Sequence, residues 1–251
     1  MRTIAFISLL VTFISCKQEN KSLTAQQIVD KTIENAGGDR YQTAKIEFTF
    51  RNVRYSSSRN NGLYEFTKTA TDSLGETYDV LTNNAFERYV NSTKLILHDS
   101  VATKYSNALN SVHYFVQLPF GLNDAAVNKK LVGETELTDK EYYKLQVTFT
   151  EDGGGSDHED EYIYWIEKND FTIDYFAYKF YSGKGGIRFR KAFNPRVING
   201  VRFVDYKNYK LDDWKNVDLQ HVDTLYTAGK LQLLSEIITE DISVSENKTI
   251  N

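Results

Sequence analysis

Apolar and polar residues alternate over most of the chain after residue 44, which is the pattern of strands with one buried face. Ile46, Phe48 and Phe50 are separated by Glu47 and Thr49 and show the pattern first. Strands are predicted over residues 45–51, 63–70, 76–81, 86–97, 143–149, 162–166, 173–181, 187–193, 201–209 and 231–242. Because Gly, Asn, Asp and Ser separate these runs, we expect antiparallel strands joined by turns.

Two segments have helical spacing instead. Thr24 and Gln27 form a capping-box pattern ahead of an apolar stripe that stops at Gly37. In residues 99–118 an apolar residue recurs every three or four positions, Asp99 is placed to cap the start and Pro119 closes the end. The chain is therefore predicted to have a short first helix and a second helix inserted between two groups of strands.

Aromatic residues occupy both faces of several predicted strands. In residues 162–166 and 175–181 the alternation is lost, so these strands need cover on both sides or line a cavity. The predicted fold is mainly β (α+β), a curved antiparallel sheet that forms an incomplete barrel around a few helices. The residues predicted to bind a ligand in its cavity are Tyr164, Trp165, Tyr175, Phe176, Tyr178, Phe180, Phe189 and Phe203.

The first residues have the features of a secretory signal. The apolar run 4–14 is shorter than the roughly 20 residues that a membrane-spanning helix needs. It ends at Ser15-Cys16, which resembles the lipobox of bacterial lipoproteins, although Phe13 stands where that motif usually has Leu. The sequence predicts a lipoprotein signal peptide (1–15), a lipidated tether (16–22) that begins with acylated Cys16, and a single domain (23–251). The predicted location is the cell envelope, with the lipid anchor in the outer membrane, on its periplasmic or surface face.

Composition narrows the partners. The 30 Lys and Arg residues are balanced by 34 Asp and Glu residues, so no positive field favours nucleic acid as a partner. Cys16 is the only cysteine, which leaves no thiol for an intramolecular disulfide. The expected partners are thus the membrane, through the anchor, and a hydrophobic small molecule or lipid.

The order of these features resembles the LolA-like superfamily, and in it an uncharacterised family of Gram-negative outer-membrane lipoproteins. The residues that carry the resemblance are Ile28 to Lys31, Gly37-Gly38, Leu118 to Phe120, Tyr164 to Ile166, Asp174-Tyr175, Gly186 to Arg190 and Gly200 to Phe203. The resemblance implies a half-barrel that holds acyl chains. A lipidated Cys16 would make this chain an anchored member rather than a soluble carrier.

One segment, 151–161, combines acidic residues with an imidazole around a run of glycines. Such oxygen and nitrogen ligands suit a divalent metal, and Asp157, His158 and Asp160 are the candidate ligands. The spacing is not that of an EF-hand loop, and a solvated hairpin loop explains the same residues. No other cofactor is predicted.

A group of basic residues allows two interpretations. Arg188, Arg190, Arg196 and Arg202 fall on neighbouring predicted strands, with Lys191 among them. They would form a patch for a lipid phosphate or another anion, or else pair with carboxylates across strands.

Three classes of function follow from these features. The first is an anchored protein that binds a lipid, acyl chain or other hydrophobic ligand in a half-barrel cavity. The second is a non-catalytic interaction or structural lipoprotein whose aromatic residues fill the interior. The third is a metal-assisted enzyme centred on residues 151–161. The sequence favours the first class, and hence a binding protein rather than an enzyme.

Overall fold

The computed structural model describes residues 22–153, 155 and 157–247, in which fourteen β-strands form two antiparallel sheets of seven strands. The predicted signal peptide, Cys16 and all of the tether except Ser22 lie outside the described residues.

The first sheet contains the N-terminal strands and the last strand of the fold. Its strands are β1 (Ala44–Phe50), β2 (Val53–Asn60), β3 (Leu63–Asp72), β4 (Gly75–Thr82), β5 (Phe86–Val90), β6 (Thr93–Lys94) and β14 (Glu240–Glu246). Neighbours in sequence pair as hairpins from β1 to β6, and β14 pairs with β1 on the other side.

The second sheet is a meander. Its strands are β7 (Val127–Leu137), β8 (Lys140–Phe149), β9 (Glu161–Glu167), β10 (Ile173–Phe180), β11 (Gly186–Ile198), β12 (Val201–Leu211) and β13 (Gln232–Ile237). Each pairs with the next in the chain.

The two sheets meet where the chain passes from β13 to β14 through Ile238 and Thr239. The prediction of one strand over 231–242 is therefore wrong, because the chain changes sheets there. The predicted mainly β fold with an unclosed barrel is confirmed, although the strands form two antiparallel sheets rather than one.

Four helices accompany the sheets: α1 (Ala25–Ala36), α2 (Arg40–Thr43), α3 (Asp99–Val116) and α4 (Val222–Thr227). The capping box of α1 is confirmed, since the Thr24 side chain accepts from the Gln27 amide and the Gln27 side chain accepts from the Thr24 amide. The N-terminal cap of α3 is His98, whose ring nitrogen accepts a hydrogen bond from the Ser100 backbone amide. Asp99, the predicted cap, is the first residue of the helix. Among the described residues, no helix is long and apolar enough to span a bilayer.

Short turns set the register of the hairpins. Asn61 and Gly62 between β2 and β3 both have positive φ, as do Asn199 and Gly200 between β11 and β12. Two residues of this kind form the type I′ turn, whose twist matches that of the strands it joins. These Asn-Gly pairs are thus turns, as their composition indicates. The prediction missed β2 and β7, which lie between predicted strands.

Candidate functional site

The concave face of the second sheet is apolar on its β8–β10 side. Val147, Tyr162 and Tyr178 lie in one cross-strand row, and Leu145, Tyr164 and Phe176 lie in the next. Tyr164 and Phe176 are fully buried, with ring centroids 5.5 Å apart. Side chains two residues apart on a strand share a face, so these rows form one continuous aromatic and aliphatic surface.

Helices α1 and α3 cover this surface. Phe115 of α3 stacks on Phe176 and Tyr178, each at 5.7 Å between ring centroids. The Tyr114 hydroxyl hydrogen-bonds the Tyr164 hydroxyl at 3.1 Å. Burial raises the pKa of Tyr114, so its hydroxyl stays protonated. The space between helix and sheet is therefore filled largely by aromatic side chains.

The opposite side of α3 faces the first sheet. His113 is fully buried there, and its ring contacts Phe48, Tyr55 and Phe66 at 4.5–5.8 Å between centroids. Burial and the nearby Arg59 guanidinium lower the pKa of His113 to about 3. Leu109 and His113 are the only buried residues of this 18-residue helix. Helix α3 thus lies between the sheets with most of its surface partly exposed, which is typical of elements that open locally at low cost.

A groove of about 100 Å³ runs between α3 and the loop after β8. The strands contribute aromatic residues, the helix contributes both aromatic and polar residues, and the loop contributes the last two: Phe149, Tyr162, Tyr114, Phe115, Asn107, Asn110, Ser111, Gly155 and Asp157. Most ligand sites are concave and largely apolar, with a few polar groups that fix orientation. This groove has the aromatic wall of such a site but a larger polar share, and it shares Tyr162 with the apolar concave face.

The outer face of the second sheet is covered as well. Trp165, Tyr175 and Phe189 project from this face and form a separate core with the segment between β12 and β13, which includes α4. The Trp165 indole donates to Asp223 of α4 at 3.0 Å, and the Lys144 ammonium lies 2.9 Å from the same carboxylate. The aromatic residues on both faces are explained by two covers, the helices α1 and α3 inside and this segment outside.

The structure thus divides the eight residues that the sequence assigned to a cavity. Those on the concave side are Tyr164, Phe176, Tyr178 and Phe180. Those on the outer side are Trp165, Tyr175 and Phe189, and Phe203 lies in the core of the first sheet. They therefore do not surround a single space.

The aromatic residues of α3 that line the groove, Tyr114 and Phe115, were not among the candidates. They fall off the apolar stripe of their helix, and that offset is the signal that could have identified a second buried face.

The described residues of the acidic segment lie in the connection between β8 and β9, as expected for a hairpin loop, except Glu161, which begins β9. Asp157 is exposed at the groove, His158 contacts the Gly155 carbonyl through Nδ1, and Asp160 is buried. Burial, together with the nearby Asp157 and Glu159 carboxylates, raises the pKa of Asp160 to about 6. Within the part of the chain that the structure describes, no group of three His, Cys, Asp or Glu residues is arranged to hold a metal ion.

The basic residues separate into three places. Arg196 pairs with Asp205 at 2.9 Å, as the cross-strand interpretation expects. Lys191 and Arg202 line a different groove, of about 250 Å³, together with Lys140 and Asp174. Arg188 and Arg190 lie on the concave face, in the same cross-strand rows as Tyr178 and Phe176.

Comparison with solved structures finds chains that are similar over most of their length. The chain is similar to a LolA superfamily protein from Nitrosomonas europaea, with a TM-score of 0.49, 15% identity, and 92% of this chain and 96% of that chain covered. It is also similar to a DUF1329 family protein from Desulfovibrio piger, with a TM-score of 0.48, 8% identity and coverage of 90% and 95%. A domain assigned to outer membrane lipoprotein sorting, from Vibrio parahaemolyticus, aligns with a TM-score of 0.45, 10% identity and coverage of 90% and 94%.

No curated protein matches the sequence. A family model matches residues 3–240, and the chain therefore belongs to DUF6503, a family of unknown function.

Proposed function

We propose that this protein is a lipid-anchored cell-envelope protein, held in the outer membrane, that binds a lipid, acyl chain or other hydrophobic ligand between α3 and the concave face of the second sheet. The observation that carries the proposal is the aromatic groove beside α3, a helix with only two buried residues. The groove alone is small. A longer ligand would take the place of Phe115 and Tyr114 on the sheet as α3 moves outward.

The groove provides a direct test of this site. Ser111 lies on α3 at the groove, and Ser111→Trp would fill it with an indole. We expect this variant to bind a fluorescent fatty acid at least about tenfold more weakly, because loss of a few buried methylene contacts already costs that much. Native mass spectrometry and solvent extraction of gently purified wild-type protein should identify a bound apolar molecule.

Ala108→Trp is the matched control, since Ala108 is exposed on the same helix and outside the groove. It should bind like the wild type. Wild-type protein that carries no extractable ligand and takes up no fatty acid would refute the proposed function.

The anchor is tested separately. Cys16 is the only cysteine, so Cys16→Ser removes the one thiol that can be acylated. We expect nearly complete loss of radiolabelled palmitate incorporation and a shift of the protein from the membrane to the aqueous fraction, because an acylated lipoprotein is held by more than one chain. Ser15→Ala, which keeps a small residue before the cysteine, should label normally. Equal labelling of Cys16→Ser and wild type would exclude this anchor.

A second candidate, an interaction lipoprotein with a filled interior, is favoured by exposed apolar residues near the junction of the sheets. Leu233 and Leu234 of β13 are 49% and 47% exposed, and Ile238 beyond it is 43% exposed. Apolar residues grouped on a surface are typical of protein contacts. Failure of ligand uptake, with loss of self-association or partner binding in Leu234→Ser, would favour this candidate.

A further inference from the structure

Arg190 is a buried cation on the concave face that has no carboxylate partner among the described residues. It is 8% exposed. Three less deeply buried cations each pair with an aspartate: Arg88 with Asp79, Lys144 with Asp223 and Arg196 with Asp205. Since burial of a charge is costly unless it is paired, the lack of a carboxylate at Arg190 sets it apart from these three cations.

The hydrogen bonds of Arg190 are incomplete as well. One terminal nitrogen donates to the Tyr178 hydroxyl at 3.2 Å, whereas the buried Nε has no acceptor in the described structure. The guanidinium lies 4.3 Å from the ring of Phe115 and 5.3 Å from that of Phe176. Contacts with aromatic faces offset part of the cost of burial. They do not satisfy the N–H donors, which lie in the plane of the guanidinium.

Two neighbours extend this polar site. Asn208 is the cross-strand partner of Arg190 on β12, and its buried Oδ1 also has no donor among the described residues. Arg188 lies two residues before Arg190 on the same face and is half-buried. It donates to the carbonyl of Ile187 and contacts the ring of Phe180, without an ion pair to any described carboxylate.

Arg59 shows that a buried arginine can be satisfied without a carboxylate. It also contacts aromatic rings, but its terminal nitrogen donates to both Gln117 and Ser57. The site at Arg190 differs because a donor and an acceptor on neighbouring strands are both left unpaired.

We propose that Arg188 and Arg190, with Asn208, bind the oxyanion head group of an amphiphile, a carboxylate or a phosphate monoester. A planar guanidinium donates to two oxygens of either head group at once. The P–OH of a phosphate monoester monoanion would in addition donate to Asn208, which an ionised carboxylate cannot do because it only accepts. Phe115 lines the groove and also covers Arg190, so the head-group site adjoins the apolar site. This inference rests on the proposed function and adds the chemical class of the ligand.

The test compares charged and neutral ligands of equal chain length. The Cys16→Ser protein, which lacks its own acyl anchor, is loaded with the neutral fluorescent probe N-phenylnaphthylamine. Palmitate and methyl palmitate then compete for it, as do lysophosphatidate and monopalmitoylglycerol. We expect at least one anion to displace the probe at about tenfold lower concentration than its neutral counterpart, which is the scale of a charge-assisted hydrogen bond.

In Arg190→Met the anion and its neutral counterpart should displace the probe at concentrations within about twofold of each other. Methyl palmitate should still bind. Met keeps much of the buried volume of the arginine stem. Arg54→Met is the control, because Arg54 is exposed on β2 and its loss removes the same charge. If Arg190→Met does not fold, Arg188→Gln makes the same comparison. In that variant the preference for the anion over its neutral counterpart should fall by about threefold.

Each result distinguishes the inference from the proposed function. If the probe and all four ligands fail to bind, the proposed function fails and this inference fails with it. If acid and ester compete equally, the inference is wrong while the proposed function stands. If Arg190→Met weakens the ester as much as the acid, the arginine only packs, which also overturns the inference. Preference for palmitate identifies a carboxylate head group, and preference for lysophosphatidate identifies a phosphate.

Discussion

Replacing Asp223 with alanine is expected to lower the free energy of unfolding by about 3–5 kcal/mol, the range found when one partner of a buried ion pair is removed. The Asp223 side chain is 4% exposed and accepts from both Lys144 and the Trp165 indole. The Lys144 side chain is 12% exposed, so its ammonium would stay buried with the Gln220 carbonyl as its remaining described acceptor. Urea unfolding followed by tryptophan fluorescence would measure the loss.

Two further variants separate charge burial from packing. Asp212→Ala removes the exposed partner of Lys210, and we expect a change of only about 0–1 kcal/mol. Lys144→Met combined with Asp223→Leu removes both charges, and this double variant should recover most of the stability lost in Asp223→Ala. If Asp223→Ala loses less than about 1 kcal/mol, the pair does not hold α4 on the outer face of the sheet.

The need for two covers on the second sheet follows from the sequence alone. In the segment 162–166 aromatic and aliphatic side chains occupy both parities, so each face must be buried. Which element covers which face does not follow, because that depends on where the chain returns after β12. The short helix α4 has too little periodicity to be predicted. Its buried residues are Val222, which packs in the outer core, and Asp223, which accepts from Trp165.

The position of α3 was predictable only in part. Its stripe of Leu109, Val112 and Val116 predicts one buried face, and those residues do pack against the first sheet. Phe115 lies off that stripe, and its partners Phe176 and Tyr178 are about sixty residues away along the chain. Contacts at that separation are set by the relative placement of two sheets, which local spacing does not specify.

The arginines illustrate the same limit. Residue spacing shows that several fall on neighbouring strands, but pairing depends on register and on bulges. Arg196 reaches Asp205 because the register shifts between Phe193 and Arg196. Arg190 stands opposite Asn208 instead of an acid. The sequence left both interpretations open. The structure pairs Arg196 with a carboxylate and shows no carboxylate partner for Arg190 among the described residues.

Acidification is expected to destabilise the protein through His113. Its pKa of about 3 in the folded state lies below the usual 6.5, because the imidazolium would be buried against aromatic rings and near Arg59. The unfolded state therefore binds a proton that the folded state does not, and the stability present above pH 6.5 is lost as the pH falls toward 3. The full shift corresponds to about 5 kcal/mol, of which about 3 kcal/mol would be lost by pH 4.

The measurement is the difference between the wild type and His113→Phe in free energy of unfolding, at pH 7 and pH 4. Phenylalanine keeps the ring contacts, and loss of the hydrogen bond between Gln117 and the imidazole Nδ1 shifts stability equally at both pH values. The wild type should lose about 3 kcal/mol more than the variant on acidification.

Asp160 makes this comparison necessary, because its contribution to the pH dependence has the opposite sign. Its pKa of about 6 exceeds the usual 3.8, so the folded state binds the extra proton and gains stability as the pH falls through 6. The wild-type profile alone therefore mixes a loss at His113 with a gain at Asp160. Asp160→Asn should remove the gain, and introducing His113→Phe into that background should change the pH dependence by the same amount as in the wild type. If the free energies of unfolding of the wild type and His113→Phe change in parallel between pH 7 and pH 4, His113 is protonated as readily in the folded state as in the unfolded state. Helix α3 would then admit water to the core of the first sheet.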